Sequence, residues 1–321
     1  MRILFLFSFL LTYHNLQSQV INEDLVNKHI SYLSSDELEG RKSGTQGIEL
    51  AAQYIEKEFE KIGLKTFNSE NYRQNFQSRG LNLFNVIGLL EGKEKPNEYV
   101  VISAHYDHIG IDNDLEGDNI FNGANDNASG TTAVLSLAKH YKELDSNSRS
   151  ILFILFTAEE MGLIGSRYFG EKINPDSIIA GINIEMIGKE SPFGEKTAWL
   201  TGFDRSDFGK IVQKNLEGSE YKLYPDPFIG YRLFYRSDNA ALARLGIPAH
   251  TFSTSPMDKD LDYHKVTDEV STLDMYTITE TIKAIAVGTS SLVSGEDTPT
   301  RISIDEQILF FICFIHIVYF M

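Results

Sequence analysis

ILFILFTAEEMG, Ile151 to Gly162, sets six large apolar residues almost directly against two adjacent carboxylates, Glu159 and Glu160. The apolar run suits a buried strand and is too short to cross a membrane. Two ionised side chains at the mouth of a buried strand are costly unless a strong positive partner compensates them. The fold and the chemistry both follow from asking what that partner is.

Similar apolar runs recur on either side, separated by helical patterns. VVISA reads as a strand, Ala128 to Tyr141 as a helix, LIGSRYFGE as a short helix and IIAGINIEMI as a strand. Phe208–Leu216 and Asp238–Leu245 read as helices, IPAHTFS as a strand, and Leu273–Leu292 as a long last helix. Upstream, NEDLVNKHISYL and SGTQGIELAAQYIEKEFEKIGL carry helical spacing, the second ending at Gly63. NLFNVIGLLEG and EYVVISAHYD form a strand pair around GKEKPNE. Apolar strands alternating with helices imply an α/β three-layer sandwich around a mixed, mainly parallel central sheet.

Composition bounds the function. The chain has 321 residues, 42% of them apolar, enough for one large globular domain with a full core. With 29 Lys plus Arg against 45 Asp plus Glu, its formal net charge is −16, and no basic cluster offers phosphate contacts. Nucleic acid is therefore not an expected partner. A single cysteine, Cys313, rules out an intrachain disulfide and a cysteine-based zinc site. A metal here must be held by His, Asp and Glu.

The two ends differ from the rest. MRILFLFSFLLTYHNLQS, residues 1–18, reads as a secretory signal, with Arg2 as its basic start and Ile3 to Leu11 as its apolar stretch. That places the remainder in a secreted or periplasmic setting. A domain is expected over residues 23–295 and a polar linker over 296–307. The apolar tail, 308–321, falls short of the roughly 20 residues of a spanning helix. A tail anchor, a docked strand and a non-native read-through remain open for it, with membrane attachment the minor alternative.

Ligands in open α/β sheets sit beyond the carboxyl ends of the strands. After YVVISA come His105, Tyr106 and Asp107; after ILFILFTA, Glu159 and Glu160; after IIAGINI, Glu185; after IPAHTFS and a short loop, Tyr263 and His264. The loop NGANDNASG adds Asp126 just before a helix. A shared His and carboxylate vocabulary at several strand ends points to a metal site. Asp126, Glu160 and Glu185 with one hydroxide bring four negative charges, matching two divalent ions; His105 and His264 add neutral nitrogens. Neighbouring side chains diverge in an extended chain, so one glutamate of the doublet can bind metal while the other acts as general base. Asp107 is placed to orient an imidazole ligand. Each feature alone has a plainer reading, as a solvated turn, a helix cap or a packed histidine. Asn127-Ala128-Ser129 is formally a glycosylation sequon, discounted because it lies inside the proposed site. His108, His140 and His250 are read as structural, His108 being the exception to watch because it lies near His105.

SSDELEGRKSGTQG, SAHYDHIG, NGANDNASG, FTAEEMGLIGS, INIEMIG, YRSDNAALARLGIP and DYHKVTDEVSTLD together resemble, in order, the M28 family of co-catalytic zinc peptidases, which includes bacterial leucyl-type aminopeptidases. The resemblance spans roughly Asp24 to Gly295. It implies the zinc-peptidase (phosphorylase/hydrolase-like) fold, two zinc ions, and peptide substrates with a free N-terminus. It further implies His105 and Glu185 on one zinc, His264 and Glu160 on the other, and Asp126 between them. Glu159 would be the general base, Asp107 would orient His105, and Tyr235 is the candidate for oxyanion stabilisation, with Phe234 beside it. Three departures stand out: Glu185 and Asn125 where Asp is common, and Asn239 where many relatives carry His. The same scaffold also serves carboxypeptidases, glutaminyl cyclases and receptor-like ectodomains. The intact ligand set and base favour an aminopeptidase.

Overall fold

The computed structural model describes residues 20–304. The expected signal segment and apolar tail lie outside the described residues. Helices α1 (Glu23–Leu33) and α2 (Gln46–Ile62) come first. The Asn22 side chain caps α1 by accepting the Leu25 N–H at 2.9 Å. The second helix stops where the sequence places its end: Gly63 turns left-handed at φ 78° and its N–H reaches the Phe59 and Glu60 carbonyls.

Strands β1 (Lys65–Thr66), β2 (Arg73–Ser78), β3 (Leu81–Leu90) and β4 (Lys95–His105) follow. A small ribbon, β5 (Gly110–Ile111) with β6 (Ile120–Phe121), precedes α3 (Gly130–Leu144). The chain continues through β7 (Arg149–Phe156), α4 (Ile164–Lys172), β8 (Ile178–Ile184), β9 (Thr197–Leu200) and α5 (Phe208–Leu216). It then forms β10 (Lys222–Pro225), α6 (Asn239–Ala243) and β11 (Ala249–Ser253). The expected long last helix is two, α7 (Met275–Gly288) and α8 (Ser290–Ser294), broken at Thr289.

The main sheet runs β1-β3-β7-β4-β8-β11-β9-β10, with β2 also on β3. Its four central strands, β7, β4, β8 and β11, are mutually parallel. Antiparallel pairings of β3 with β7 and of β9 with β11 begin on either flank, and the edge strand β10 is parallel to β9, so the sheet is mixed with a parallel centre. Every residue of β7 is buried, which is why its sequence lacks the polar alternation of a half-exposed strand. Successive side chains divide between two cores. Ile151, Phe153 and Leu155 pack with α1, α2, α3 and α7, while Leu152, Ile154 and Phe156 pack with Phe169 of α4 and Leu242 of α6. Helices cover both faces, as a three-layer sandwich requires.

β4 is the switch point. From it the chain passes through α3 to β7 on one side, then through α4 to β8 on the other. A crevice therefore opens at the carboxyl ends of β4, β7 and β8. Residues 296–304, read as a linker, are tied to the domain. Arg149 donates to the Asp297 carbonyl and Thr298 hydroxyl at 2.6 Å each, Ile302 N–H reaches Gly246 O at 3.0 Å, and Ile302 is buried beside Phe234. Among the described residues no helix is long and apolar enough to cross a membrane.

Candidate metal centre

His105 is the last residue of β4, Glu159 and Glu160 follow β7, and Glu185 follows β8. Asp126 lies in the irregular turn Ala124–Ser129 that leads into α3, and His264 lies in the loop after β11. These separated segments converge. His105 Nε2 is 3.2 Å from Asp126 Oδ1, His264 Nε2 is 3.1 Å from Asp126 Oδ2, and His264 Nε2 is 3.2 Å from Glu160 Oε2. Donor atoms of His105, Asp126 and Glu185 all lie within 4.8 Å of one another, as do those of His108, Asp126 and Glu160. His105 Nε2 and Glu185 Oε2 are buried without a hydrogen-bond partner among the described residues. Buried polar atoms are rarely left unpaired, and orphans aimed at shared carboxylates fit a cation. The hard oxygens and imidazoles suit zinc or a similar divalent ion.

The surroundings hold these groups in place. Asp268 accepts the Asn125 and Asp126 N–H groups at 2.8 and 3.0 Å, fixing the turn that carries Asp126. Asn127 is fully buried; its amide donates to Ile184 O at 3.0 Å, and its oxygen accepts from Met186 N–H at 3.2 Å and Gly130 N–H at 3.0 Å. That clamp binds the Glu185 turn to the start of α3 and leaves no room for a glycan. Ala158, Met186 and His264 all take positive φ, at 54°, 53° and 55°. Such backbone strain in non-glycine residues concentrates at functional sites.

Asp107 does more than the sequence suggests. Its backbone carbonyl meets His105 Nδ1 at 3.1 Å, while its carboxylate stays 3.8 Å from that nitrogen. The carboxylate instead accepts N–H groups of Glu159 at 3.1 Å and Glu160 at 3.4 Å, so it pins the doublet from beneath. Burial pushes the Asp107 and Glu185 carboxyls up to about 7 in the cation-free protein, and Asp238 up to about 6. Glu159 is pushed well above the usual range by burial, and then by Glu185, Asp238 and Glu160, with His105 opposing. Carboxyls crowded this way gain from a nearby positive charge.

Tyr235 is not among the converging groups. It packs on Phe234, lies under Arg205 and Arg244, and lines a cavity of about 570 Å³ that includes none of the cluster residues. Tyr263 lies closer to the chemistry. Its ring stacks on His264 with centroids 3.9 Å apart, and it lines a small cavity with Glu185, Met186, Trp199 and Arg236. Burial, then Asp126, Glu160 and Glu185, raise its hydroxyl above the ordinary tyrosine value, keeping it a donor. Its position directly before His264 was the sequence signal. Asp238 is a second group that the pattern did not mark: it is fully buried, and neither carboxylate oxygen has a hydrogen-bond partner among the described residues.

The departures are absorbed structurally. Asn125 donates to Ser255 Oγ at 2.8 Å and accepts from Gly188 N–H at 2.8 Å. Asn239 donates to Phe234 O at 3.0 Å and accepts from Thr251 Oγ1 at 2.8 Å. His140 and His250 lie outside the cluster, and burial lowers both to about 4. His108 faces into it.

A "Probable zinc metalloprotease" of Pyrenophora teres f. teres is 30% identical over 179 residues, 53% of this chain and 37% of that protein. The chain spans well under half of the length of the curated relatives it matches. The Legionella pneumophila LapA aminopeptidase superposes with a TM-score of 0.71 at 20% identity, covering 87% of this chain and 74% of that one. A Bacteroides thetaiotaomicron glutaminyl cyclase superposes with a TM-score of 0.67 at 19% identity, covering 86% and 99%. At such identities these two likenesses concern the fold alone, which carries more than one chemistry. The family itself comes from the sequence: residues 85–288, reaching from β3 to the end of α7 and taking in the whole cluster, match Peptidase family M28, and the chain belongs to it.

Proposed function

We propose that this domain is a secreted zinc-dependent aminopeptidase that cleaves the first peptide bond of substrates with a free N-terminus. One observation carries the reading: His105, Asp126, Glu160, Glu185 and His264 come from five chain segments and meet beside the half-buried Glu159. His105, Asp126 and Glu185 would hold one cation, and Asp126, Glu160 and His264 the other. Two divalent ions held there supply Lewis acidity and make a water acidic enough to ionise near neutral pH.

The chain's own groups do the rest. Glu159 takes the proton of the attacking water and returns it to the leaving amine. Tyr263 donates its hydroxyl hydrogen to the substrate carbonyl oxygen as negative charge builds there. Asp107 fixes both the His105 ring and the glutamate doublet. The small cavity beside Glu185 and Tyr263 is placed to receive the substrate's first side chain.

Hydrolysis of aminoacyl-nitroanilides, with and without a chelator, tests the activity. Undiminished turnover by metal-free protein ends the proposal. A cyclase on this scaffold would work with one zinc, and retention of His105 favours two; counting metal per chain separates the two chemistries. Secretion rests on residues 1–18, and N-terminal sequencing of protein recovered outside the cytoplasm tests it.

A further inference from the structure

The geometry points to His108 as a positioning residue that fixes Glu160 through a hydrogen bond from Nδ1–H, and so secures the cation position shared by Glu160 and His264. The inference rests on the two-cation reading above. His108 Nδ1 lies 2.9 Å from Glu160 Oε1, and His264 Nε2 lies 3.2 Å from Glu160 Oε2. The two oxygens of one carboxylate are thus divided between two imidazoles. With Oε1 engaged by His108, Oε2 is left turned toward His264 and Asp126.

His108 is built to stay where it is. Its side chain is fully buried, its backbone N–H donates to Arg41 O at 3.2 Å, and its ring meets the His264 ring edge-on at 5.7 Å. Arg41 is itself buried and ties the neighbouring loops together through the carbonyls of Leu33, Tyr106, Asn122 and Gly123. Gly123 sits at φ 53°, and a Cβ there would fall 2.5 Å from His108 Cγ and Cδ2. The glycine is therefore required for the ring to be seated at all.

The tautomer follows from the partners. Nε2 is buried with no hydrogen-bond partner among the described residues, so the ring's one polar contact is at Nδ1. A carboxylate only accepts, so the proton belongs on Nδ1. Were Nδ1 instead a bare metal ligand, Nε2 would carry a buried N–H with no acceptor, an arrangement rarely tolerated. His108 then acts through Glu160, as the outer partners of metal-binding carboxylates do.

Cobalt titration of the full chain, followed by absorption and calorimetry, tests the assignment without recourse to activity. Wild type is expected to take two equivalents. His108→Ala should keep the first and bind the second more weakly, by roughly 10–100-fold. His108→Asn places an amide N–H near the Nδ1 position and should recover most of that loss. A second equivalent in His108→Ala within about two-fold of wild type overturns the role, as does an Asn variant no better than the Ala variant. If His108→Ala does not fold, His108→Gln replaces it: its longer side chain misplaces the donor, so affinity equal to His108→Asn overturns the assignment. Wild type binding fewer than two equivalents overturns the two-cation reading, and this inference with it.

Discussion

On one side of Asp126, His105 and Glu185 stand at strand ends, the His105 side chain with 1% exposure and Glu185 half-buried with its Oε2 enclosed. On the other side, Glu160 and His264 stand on loops, and their side chains keep 14% and 36% exposure. Strand ends are fixed by the sheet ladder, so the first half is preformed by the same hydrogen bonds that make the fold. The second half borrows its rigidity from His108, Asp107 and a strained loop. A shared site need not be uniformly built. The half carried by the sheet tolerates little change, and the half carried by loops is where affinity and access are adjusted.

As the proposed base, Glu159 would serve both halves, so its loss should do the most. Glu159→Gln is expected to lower kcat by about 10²–10⁴-fold while both cations remain bound. Steady-state assays with metal analysis check this; a variant near wild-type rate removes Glu159 from the role of base. Next come the two proposed histidine ligands, which should part company in stability. His105→Ala breaks a buried pair with Asp126 and should cost roughly 3–5 kcal/mol. His264→Ala should cost about 1 kcal/mol or less, because the His264 side chain is itself about a third exposed and its contacts are screened by solvent. Denaturant unfolding of the cation-free proteins gives both numbers, and equal losses would dissolve the distinction between the halves.

Much of this was legible beforehand, for identifiable reasons. ILFILF reads as a strand buried on both faces because alternate residues serve two cores, and Glu159 and Glu160 marked the candidate cluster because carboxylates at the mouth of a buried strand demand a partner. The flanking strands were not visible. RQNFQS of β2 is polar where it faces outward, TAWL of β9 is four residues long, and KLYP of β10 ends in proline. Tyr235 was chosen because it opens YRSDN in the sequence, whereas the fold turns Tyr235 toward Arg205 and Arg244 and stacks Tyr263 on His264. Asp107's grip on the doublet runs through backbone N–H groups, which no side-chain pattern displays. The stretch after Gly295 reads as a linker because it is polar, yet backbone hydrogen bonds and the buried Ile302 hold it down.

The loop-borne half also carries Tyr263. Tyr263→Phe should lower kcat by about 10²–10³-fold with both metal affinities unchanged, whereas Tyr235→Phe should leave kcat near wild type. The reverse pattern restores Tyr235 to the site. A group outside both halves supplies the smallest effect. His250 donates to Thr201 O and accepts from Ser206, and burial holds it neutral with its pKa lowered to about 4. The unfolded chain takes up a proton near pH 6.5 that the folded one refuses until about 4, so this stability is complete above 6.5 and falls as pH drops. His250→Asn should flatten the acid limb by about 1.4 kcal/mol per pH unit in that window. An unchanged slope would mean that His250 is protonated in the folded protein.

Cation binding tests the central claim most directly. Titration of chelator-stripped protein with zinc, read by calorimetry and checked by metal analysis, should give two equivalents per chain. The tighter should be lost in His105→Ala and the weaker in His264→Ala. A single equivalent, or a pair that both substitutions weaken alike, would contradict the account.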